Sequence, residues 1–337
     1  MPDAISRPPS RLQRATDQVF RRLCQATAGL LLALVVFIVL RIATAGAPAM
    51  REFGLGFLTG TTWDPNQGRH AILPEIWGTL YTSVLGLLVG TVFGLAAAVF
   101  LAEGYLGQAV HRALTALKLE LRPGWAQLPD RLEQLLRNLV ELLAAIPSVV
   151  YGLWGIFVVI PMIRPAAVWL HANLGWVPLF GTSFSGPGVL PAVLVLGIMI
   201  MPTITAISRD ALISVPPKLR MAAYGLGATR WETIFAVILP TAARGIFGGV
   251  VLAFGRALGE TMALAMLVGN SNRISVSLFS PANTLAALLA NSFPEAGPKQ
   301  VAILMYAALV LLGITLLVNV IGAAILQRAS RQLEGAR

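Results

Sequence analysis

The sequence predicts an all-α polytopic membrane protein with about six transmembrane helices. Its 337 residues are 56% hydrophobic and only 12% charged, whereas an ordinary globular protein has about 25% charged residues. The apolar residues also gather into continuous runs of about 20, the length that a helix needs to cross a roughly 30 Å hydrocarbon layer. A chain of this kind has too little polar surface to fold as a water-soluble domain.

Six apolar runs define the predicted spans and the organisation of the chain. The first run follows an arginine-rich start and is too long for the apolar core of a cleaved signal peptide, so we interpret it as an anchored span. The six runs cover residues 23–44, 76–101, 138–160, 189–208, 242–269 and 300–326. The chain then divides into a segment 1–22, a first helix with its outer loop at 23–75, a transmembrane core at 76–326 that includes a polar loop at 209–240, and a tail at 327–337.

The distribution of positive charge predicts the orientation. With six spans both termini share one side, and the segments on that side hold 18 of the 25 Lys and Arg residues, against six on the other side and Arg256 within a span. Positive charge marks the cytoplasmic face of a membrane protein. We therefore expect a multi-pass protein of the bacterial inner membrane with both termini in the cytoplasm.

Several function classes lack the residues that they need. The basic residues lie between apolar runs instead of clustering on a soluble domain, which argues against nucleic-acid binding. The single Cys24 and three well-separated histidines offer neither a disulfide framework nor metal-ligand spacing. No convergent set of His, Cys or carboxylate residues indicates an enzyme. No G-x-x-x-x-G-K-S/T stretch occurs to cradle ATP phosphates, so we expect no cofactor in this chain.

The loop at 209–240 carries a distinctive pattern. Pro216 and Pro217 end the incoming helix and allow a short new helix to start, which Gly227 can break again. The loop resembles the signature of ABC-importer permeases, in which an Ala-Ala pair is followed by a glycine and then by a Leu-Pro pair at fixed spacing. The matching residues are Ala222, Ala223, Gly227, Leu239 and Pro240.

Two positions depart from this signature. Met221 stands where the family usually has glutamate, and Val237 where it usually has isoleucine. The resemblance implies the type I importer fold, also called MetI-like, with a coupling helix that sits in a cleft of a separate ATPase subunit. Arg220 and Met221 belong to the segment that would contact this ATPase subunit. The ATPase subunit, and not this chain, would bind ATP-Mg. An interfacial amphipathic segment without an ATPase is the alternative.

Arg256 is the most unusual residue of the predicted spans. An arginine at mid-membrane costs at least about 2.5 to 3.5 kcal/mol, so it is kept only where it faces protein or a wet cavity. Glu260 follows four residues later and would lie on the same helix face, where it can partly neutralise the arginine. The planar guanidinium suits bidentate contact with a phosphate oxyanion. The alternative is a buried Arg-Glu pair that only locks helices together.

Two sequence blocks favour the functional interpretation of Arg256. Residues 141–152, ELLAAIPSVVYG, and residues 256–263, RALGETMA, closely resemble the PstC family of phosphate-specific permeases. This resemblance implies import of inorganic phosphate through a heterodimer with a PstA-type permease, together with two PstB-type ATPase subunits and a periplasmic PstS-type phosphate-binding protein. It also implies that Arg256 and Glu260 matter for transport, and we place Thr261 and Ser148 on the same substrate pathway.

Two further features concern the third predicted span and the link before it. Pro147 removes a backbone donor, so the helix bends or breaks there, and Ser148 can help to repair it. Transporters place such breaks along their pathways, but a packing kink explains Pro147 equally well.

The link at 103–137 is longer than is usual in the family, and its leucines recur at helical spacing. We expect two short amphipathic helices there, on membrane lipid or against the ATPase.

Two other kinds of transporter remain as alternatives. A permease of the same superfamily for another oxyanion, such as sulfate or molybdate, would differ only in what it carries, and uptake with competitor anions separates the two. An ion-coupled secondary carrier would import without an ATPase, and the coupling loop argues against it.

Overall fold

The computed structural model describes residues 10–116 and 128–334, and within them the chain is almost wholly helical. Extended pairing is limited there to one isolated bridge between Asp64 and Arg69. Six helices are long and apolar enough to cross a membrane, and we call them the first to the sixth spanning helix. They are Arg11–Phe53, Leu73–Ala102, Ser148–Leu174, Val189–Ile213, Arg230–Leu258 and Pro298–Arg328. The predicted all-α class with six spans is therefore confirmed for this part of the chain.

Shorter helical elements connect and interrupt the spanning helices. The short α-helices are Gly56–Thr59, Tyr105–Ala116, Leu128–Ala145, Pro217–Gly225, Met262–Leu267 and Leu285–Ser292. Turns of 3-10 helix lie at Pro65–Gln67, Pro178–Phe180 and Phe293–Glu295. Two π-helical segments, Gly155–Val159 and Ile234–Ile238, lie within the third and the fifth spanning helices. The sixth spanning helix continues to Glu334.

The fourth spanning helix forms the centre of the bundle. In its most apolar window 61% of the residues are buried, compared with 28% or less in the other five spanning helices. The second helix packs along it through glycines. A Cβ atom on Gly86 would come within 2.8 Å of the Leu196 side chain, and one on Gly90 within 2.7 Å of Ile200. Small residues let the two backbones approach closely, so these helices form one tightly packed pair.

Glycine contacts also join the remaining helices. Gly249 of the fifth helix lies against Ile207 of the fourth, and Gly46 of the first lies against the backbone at Tyr306 of the sixth. The first helix makes this contact near its C-terminal end, whereas most of its length is exposed. An apolar helix with so much free surface faces lipid or another subunit.

The third spanning helix lies further along the chain than the sequence predicts. The sequence analysis places it at 138–160, whereas the structure has an α-helix at Leu128–Ala145, an interruption, and the spanning helix at Ser148–Leu174. Pro147 is the N-cap residue of the second piece, with extended backbone angles of φ −58° and ψ 139°. It separates two helices because proline can neither donate a backbone hydrogen bond nor continue a helix without a clash.

The fifth spanning helix also differs from the predicted span at 242–269. It starts at Arg230 and ends at Leu258. The start is fixed by a capping box, in which the Thr229 side chain accepts from the Glu232 backbone and the Glu232 side chain accepts from the Thr229 backbone. The residues of this first turn are polar, so the apolar pattern of the sequence does not indicate where the helix starts.

The two amphipathic helices predicted at 103–137 are present in part. The structure has helices at Tyr105–Ala116 and Leu128–Ala145. Residues 117–127 of this link lie outside the described residues, as do 1–9 and 335–337 of the predicted terminal segments.

Candidate functional site

The third helix is interrupted in the middle of the block that resembles PstC permeases. Because Pro147 has no N–H, the carbonyl of Leu143, four residues earlier, loses its usual helical partner. The hydroxyl of Tyr151 donates a hydrogen bond of 2.8 Å to this carbonyl instead. Ser148 is the first residue after the interruption and is half-buried. Tyr151 therefore supplies the hydrogen bond that the Leu143 carbonyl loses at the break.

The fifth helix is interrupted in the other block. It ends at Leu258, Gly259 caps it, and a short helix Met262–Leu267 follows. The Thr261 hydroxyl donates to the Gly259 carbonyl over 3.1 Å, while a Glu260 carboxylate oxygen accepts from the Ala263 backbone at 3.4 Å. Glu260 and Thr261 thus form the turn between two helical pieces.

The two interruptions lie next to each other. A Cβ atom on Gly152 would come within 2.6 Å of the Met266 sulfur and 3.4 Å of the Ala263 backbone. The structure therefore brings the two sequence blocks together.

Arg256 lies at about half the height of the bundle, although it is in the last turn of its helix. Its neighbours Ala253 and Ala257 pack in one buried cluster with Ile200 and Ile204. Those isoleucines are near the middle of the 25-residue fourth helix, which is about 37 Å long at 1.5 Å per residue. The predicted mid-span position of the arginine agrees with this packing.

The predicted pairing of Arg256 with Glu260 is not formed. The helix ends between the two residues, so the four-residue spacing no longer places them on one face. Among the described residues the structure shows no ion pair to either side chain. Arg256 is exposed in the isolated chain, and Glu260 is half-buried. The guanidinium therefore remains open to a ligand or to another subunit.

Two residues near Arg256 escaped the sequence analysis. Tyr151 was visible only as part of a motif, and its role depends on a carbonyl eight positions away. Asn319 is a half-buried polar residue of the sixth helix, and its side-chain oxygen lies 3.0 Å from where a Cβ on Gly255 would be. A lone asparagine within a long apolar run was the one signal in the sequence.

The loop at 209–240 folds into the expected short helix, Pro217–Gly225, with Pro216 as its N-cap. Gly227 has φ +86°, a left-handed conformation that favours glycine. Ala223 is buried, whereas Ala222 is exposed. Met221 and Leu226 are 63% and 90% exposed. The helix thus presents apolar side chains on a free face.

The other two predicted positions of this loop lie within the fifth helix. Leu239 and Pro240 directly follow the π-helical turn Ile234–Ile238. A wider turn accommodates a proline that has no N–H to donate. Arg220 points inward, where its guanidinium lies 2.6 Å from the carboxylate of Glu103. Of the residues predicted to contact an ATPase, Arg220 is therefore engaged within this chain.

Comparison with known proteins identifies the family. The model of the "Binding-protein-dependent transport system inner membrane component" family matches residues 124–331. The chain is 36% identical over 321 residues to the phosphate transport system permease protein PstC of Xylella fastidiosa, covering 94% of this chain and 92% of that protein. This chain belongs to the PstC family of permeases. A protein of the same name from Haemophilus influenzae is 37% identical over 311 residues, covering 90% of this chain and 91% of that protein. The chain is thus a transport subunit of an ABC importer and not an enzyme.

Solved structures of ABC transporters share the fold. One is a bacterial alginate transporter in complex with an alginate-bound periplasmic protein, with a TM-score of 0.56 at 15% identity over 93% of this chain and 97% of that one. The other is the inward-facing MetNI methionine transporter, with a TM-score of 0.51 at 19% identity over 79% of this chain and 99% of that one. The expected type I importer architecture is therefore confirmed.

Proposed function

We propose that this chain is the PstC-type permease of an ATP-driven importer of inorganic phosphate. The names of its relatives support phosphate as the substrate. The observation that carries the proposal is the position of Arg256, whose guanidinium forms no ion pair with any described residue and lies at half-height beside two interrupted helices. Interrupted helices supply transporters with polar backbone and side chains along the pathway.

The exposed guanidinium fits an oxyanion pathway better than a structural lock. A structural lock requires an ion pair, and Arg256 has none among the described residues. An unpaired arginine at this depth is stable only beside a wet cavity or a polar partner. Its planar set of donors binds tetrahedral oxyanions in a bidentate manner. We infer that Arg256 faces a cavity shared with a second permease, through which phosphate passes.

The residues around the interruptions complete the proposed pathway. Glu260 and Thr261 form the turn of the fifth helix, and Ser148 starts the second piece of the third helix. Small displacements of these turns would move the guanidinium relative to the pathway.

The proposed partners follow from the free surfaces. The apolar face of helix Pro217–Gly225, with Met221 and Leu226, fits the cleft of a PstB-type ATPase, two copies of which would bind ATP-Mg. A PstA-type permease would complete the pathway, and a periplasmic PstS-type protein would deliver phosphate. This arrangement requires both termini on the cytoplasmic side together with the coupling helix.

Uptake in proteoliposomes tests the proposal. We expect ATP-dependent uptake of radiolabelled phosphate by the complete transporter, and competition by unlabelled phosphate but not by sulfate or molybdate. Arg256→Gln should reduce uptake by about 10- to 150-fold, the equivalent of one charge-assisted contact of about 1.5 to 3 kcal/mol. Arg41→Gln, in the first spanning helix, is the control and should transport normally.

Each other outcome contradicts part of the proposal. Competition by sulfate or molybdate would indicate another oxyanion, and uptake without ATPase subunits would indicate a secondary carrier. Wild-type uptake by Arg256→Gln would show that the arginine is not on the pathway.

A further inference from the structure

Glu103 is a nearly buried charge directly after the second spanning helix. Its side chain is only 6% exposed, and its carboxylate contacts two guanidinium groups, those of Arg220 at 2.6 Å and Arg230 at 3.5 Å. A carboxylate is rarely buried in proteins unless it is paired, because loss of hydration is costly. These two contacts therefore account for its position.

Arg220 connects the coupling helix Pro217–Gly225 to two spanning helices. One of its terminal nitrogens donates to Glu103, and the other donates to the carbonyl of Leu212 over 2.9 Å. Leu212 lies in the last turn of the fourth spanning helix. One side chain thus holds the coupling helix against the inner ends of the second and the fourth helices.

Arg230 makes the matching connection on the other side of the coupling helix. It is the first residue of the fifth spanning helix, and it donates to the backbone carbonyl of Glu103 and to the side chain of Gln108. Its guanidinium carbon also lies 4.0 Å from the centre of the Tyr105 ring, which stacks on Trp231. Cation–π contact and hydrogen bonds together fix the guanidinium.

Arg220 lies within the coupling helix and Arg230 lies beyond it, so Glu103 holds both ends of the segment 220–230, which we call the coupling segment. The face that is free for an ATPase carries Met221 and Leu226, and Glu103 does not belong to it. The second helix, to which Glu103 is attached, packs closely on the fourth through Gly86 and Gly90. A displacement of the coupling segment therefore reaches the centre of the bundle through this carboxylate.

We propose that Glu103 is a positioning residue that transmits movement of the coupling helix to the second and fourth spanning helices. The proposal rests on the proposed function, since it requires an ATPase bound to the coupling helix. Without the carboxylate the ATPase still binds the apolar face of the coupling helix and hydrolyses ATP. The movement of the coupling helix is then no longer transmitted to the second and fourth spanning helices. The specific consequence is a lower amount of phosphate imported for each ATP hydrolysed.

The test uses the complete transporter in proteoliposomes, with radiolabelled phosphate uptake and ATP hydrolysis measured on the same sample. Glu103→Gln keeps the size of the side chain and removes its charge. We expect uptake per ATP to fall about tenfold, as for loss of one charge-assisted contact, while ATP hydrolysis per assembled complex persists. Glu52→Gln is the control, because Glu52 makes an exposed ion pair with Lys299 on the opposite side of the protein. It should leave uptake per ATP unchanged.

A second variant keeps the proposal testable if Glu103→Gln does not assemble. Glu103→Asp retains the charge but shortens its reach by one methylene, so we expect it to assemble and to show an intermediate uptake per ATP. Wild-type uptake per ATP in Glu103→Gln, or in Glu103→Asp if only that variant assembles, would overturn the role of Glu103. If the wild-type transporter itself shows no ATP-driven phosphate uptake, the proposed function fails instead, and this inference falls with it.

Discussion

The hydroxyl of Tyr151 and the carbonyl of Leu143, 2.8 Å apart, hold together the two pieces of the interrupted third helix. Tyr151 is itself buried, and its neighbour Gly152 packs against Ala263 and Met266, which follow the turn of the fifth helix. A tertiary hydrogen bond thus replaces the helical one that Pro147 removes. The interruption is therefore a fixed part of the fold.

Tyr151→Phe should weaken this junction. The variant leaves a partly buried carbonyl without a partner, which costs up to about 3 kcal/mol, so we expect a lower thermal midpoint and slower phosphate uptake per assembled transporter. Tyr81→Phe is the control, because it also removes a hydrogen bond from a tyrosine hydroxyl to a carbonyl, the more exposed bond of 2.6 Å to Val276. Both variants should lose stability, but only Tyr151→Phe should slow uptake. If the two variants import phosphate at the same rate, the Tyr151 hydrogen bond has no role in transport.

The sequence predicts the second, fourth and sixth spans well because each is one uninterrupted apolar helix. It misplaces the third and the fifth for physical reasons. The first turn of the fifth helix is polar because Thr229 and Glu232 cap it, and hydropathy does not register caps. The predicted Arg256–Glu260 pair assumed that the helical period continues through Gly259, where the helix ends.

The inward position of Arg220 shows a different limit. Its partner Glu103 is 117 positions away in the sequence, and a local pattern does not reveal which face of a short helix is turned inward. The sequence therefore predicts the coupling helix but not the ion cluster that holds it.

Gly78 should be among the least replaceable residues of the second helix. A Cβ atom there would lie 1.9 Å from the backbone carbonyl of Asn283, so the alanine variant must separate the helix from the outer segment. We expect Gly78→Ala to cost about 1 to 3 kcal/mol, as for overpacking elsewhere, with a lower yield of folded protein. Gly313→Ala is the matched control, since nothing lies within 4 Å of its Cβ position. Size-exclusion profiles and thermal midpoints in detergent check the difference, and similar values for both variants would contradict the close packing at Gly78.

His70 should make the outer loop sensitive to acid. It lies edge-on between Phe53 and Trp63, with ring centroids 5.6 and 5.1 Å away, and burial lowers its pKa below the usual 6.5. The unfolded loop takes up a proton more readily than the folded one. The stability is therefore complete above pH 6.5 and is lost as the pH falls through the lower pKa of the folded state.

The pH dependence of thermal unfolding checks this expectation. Wild-type protein should melt at a lower temperature as the pH falls from about 8 to about 5, and His70→Gln should lose part of that dependence. His111→Gln, in the helix Tyr105–Ala116 where His111 is exposed, is the control and should retain it. If His70→Gln and the wild type respond equally to acid, another group is responsible.

Gly227 should be required for the position of the coupling helix. Its φ of +86° lies in the left-handed region, which costs a residue with a side chain about 1 to 2 kcal/mol. Gly227→Ala should therefore shift the chain between the coupling helix and Arg230, and reduce both ATPase binding and phosphate uptake. Gly225→Ala is the matched control, because Gly225 is helical and both glycines have open space around their Cβ positions. It should bind ATPase at least as well as the wild type, since alanine favours helix. Only the backbone conformation distinguishes the two sites, so equal binding by both variants would show that the left-handed turn does not set the coupling helix.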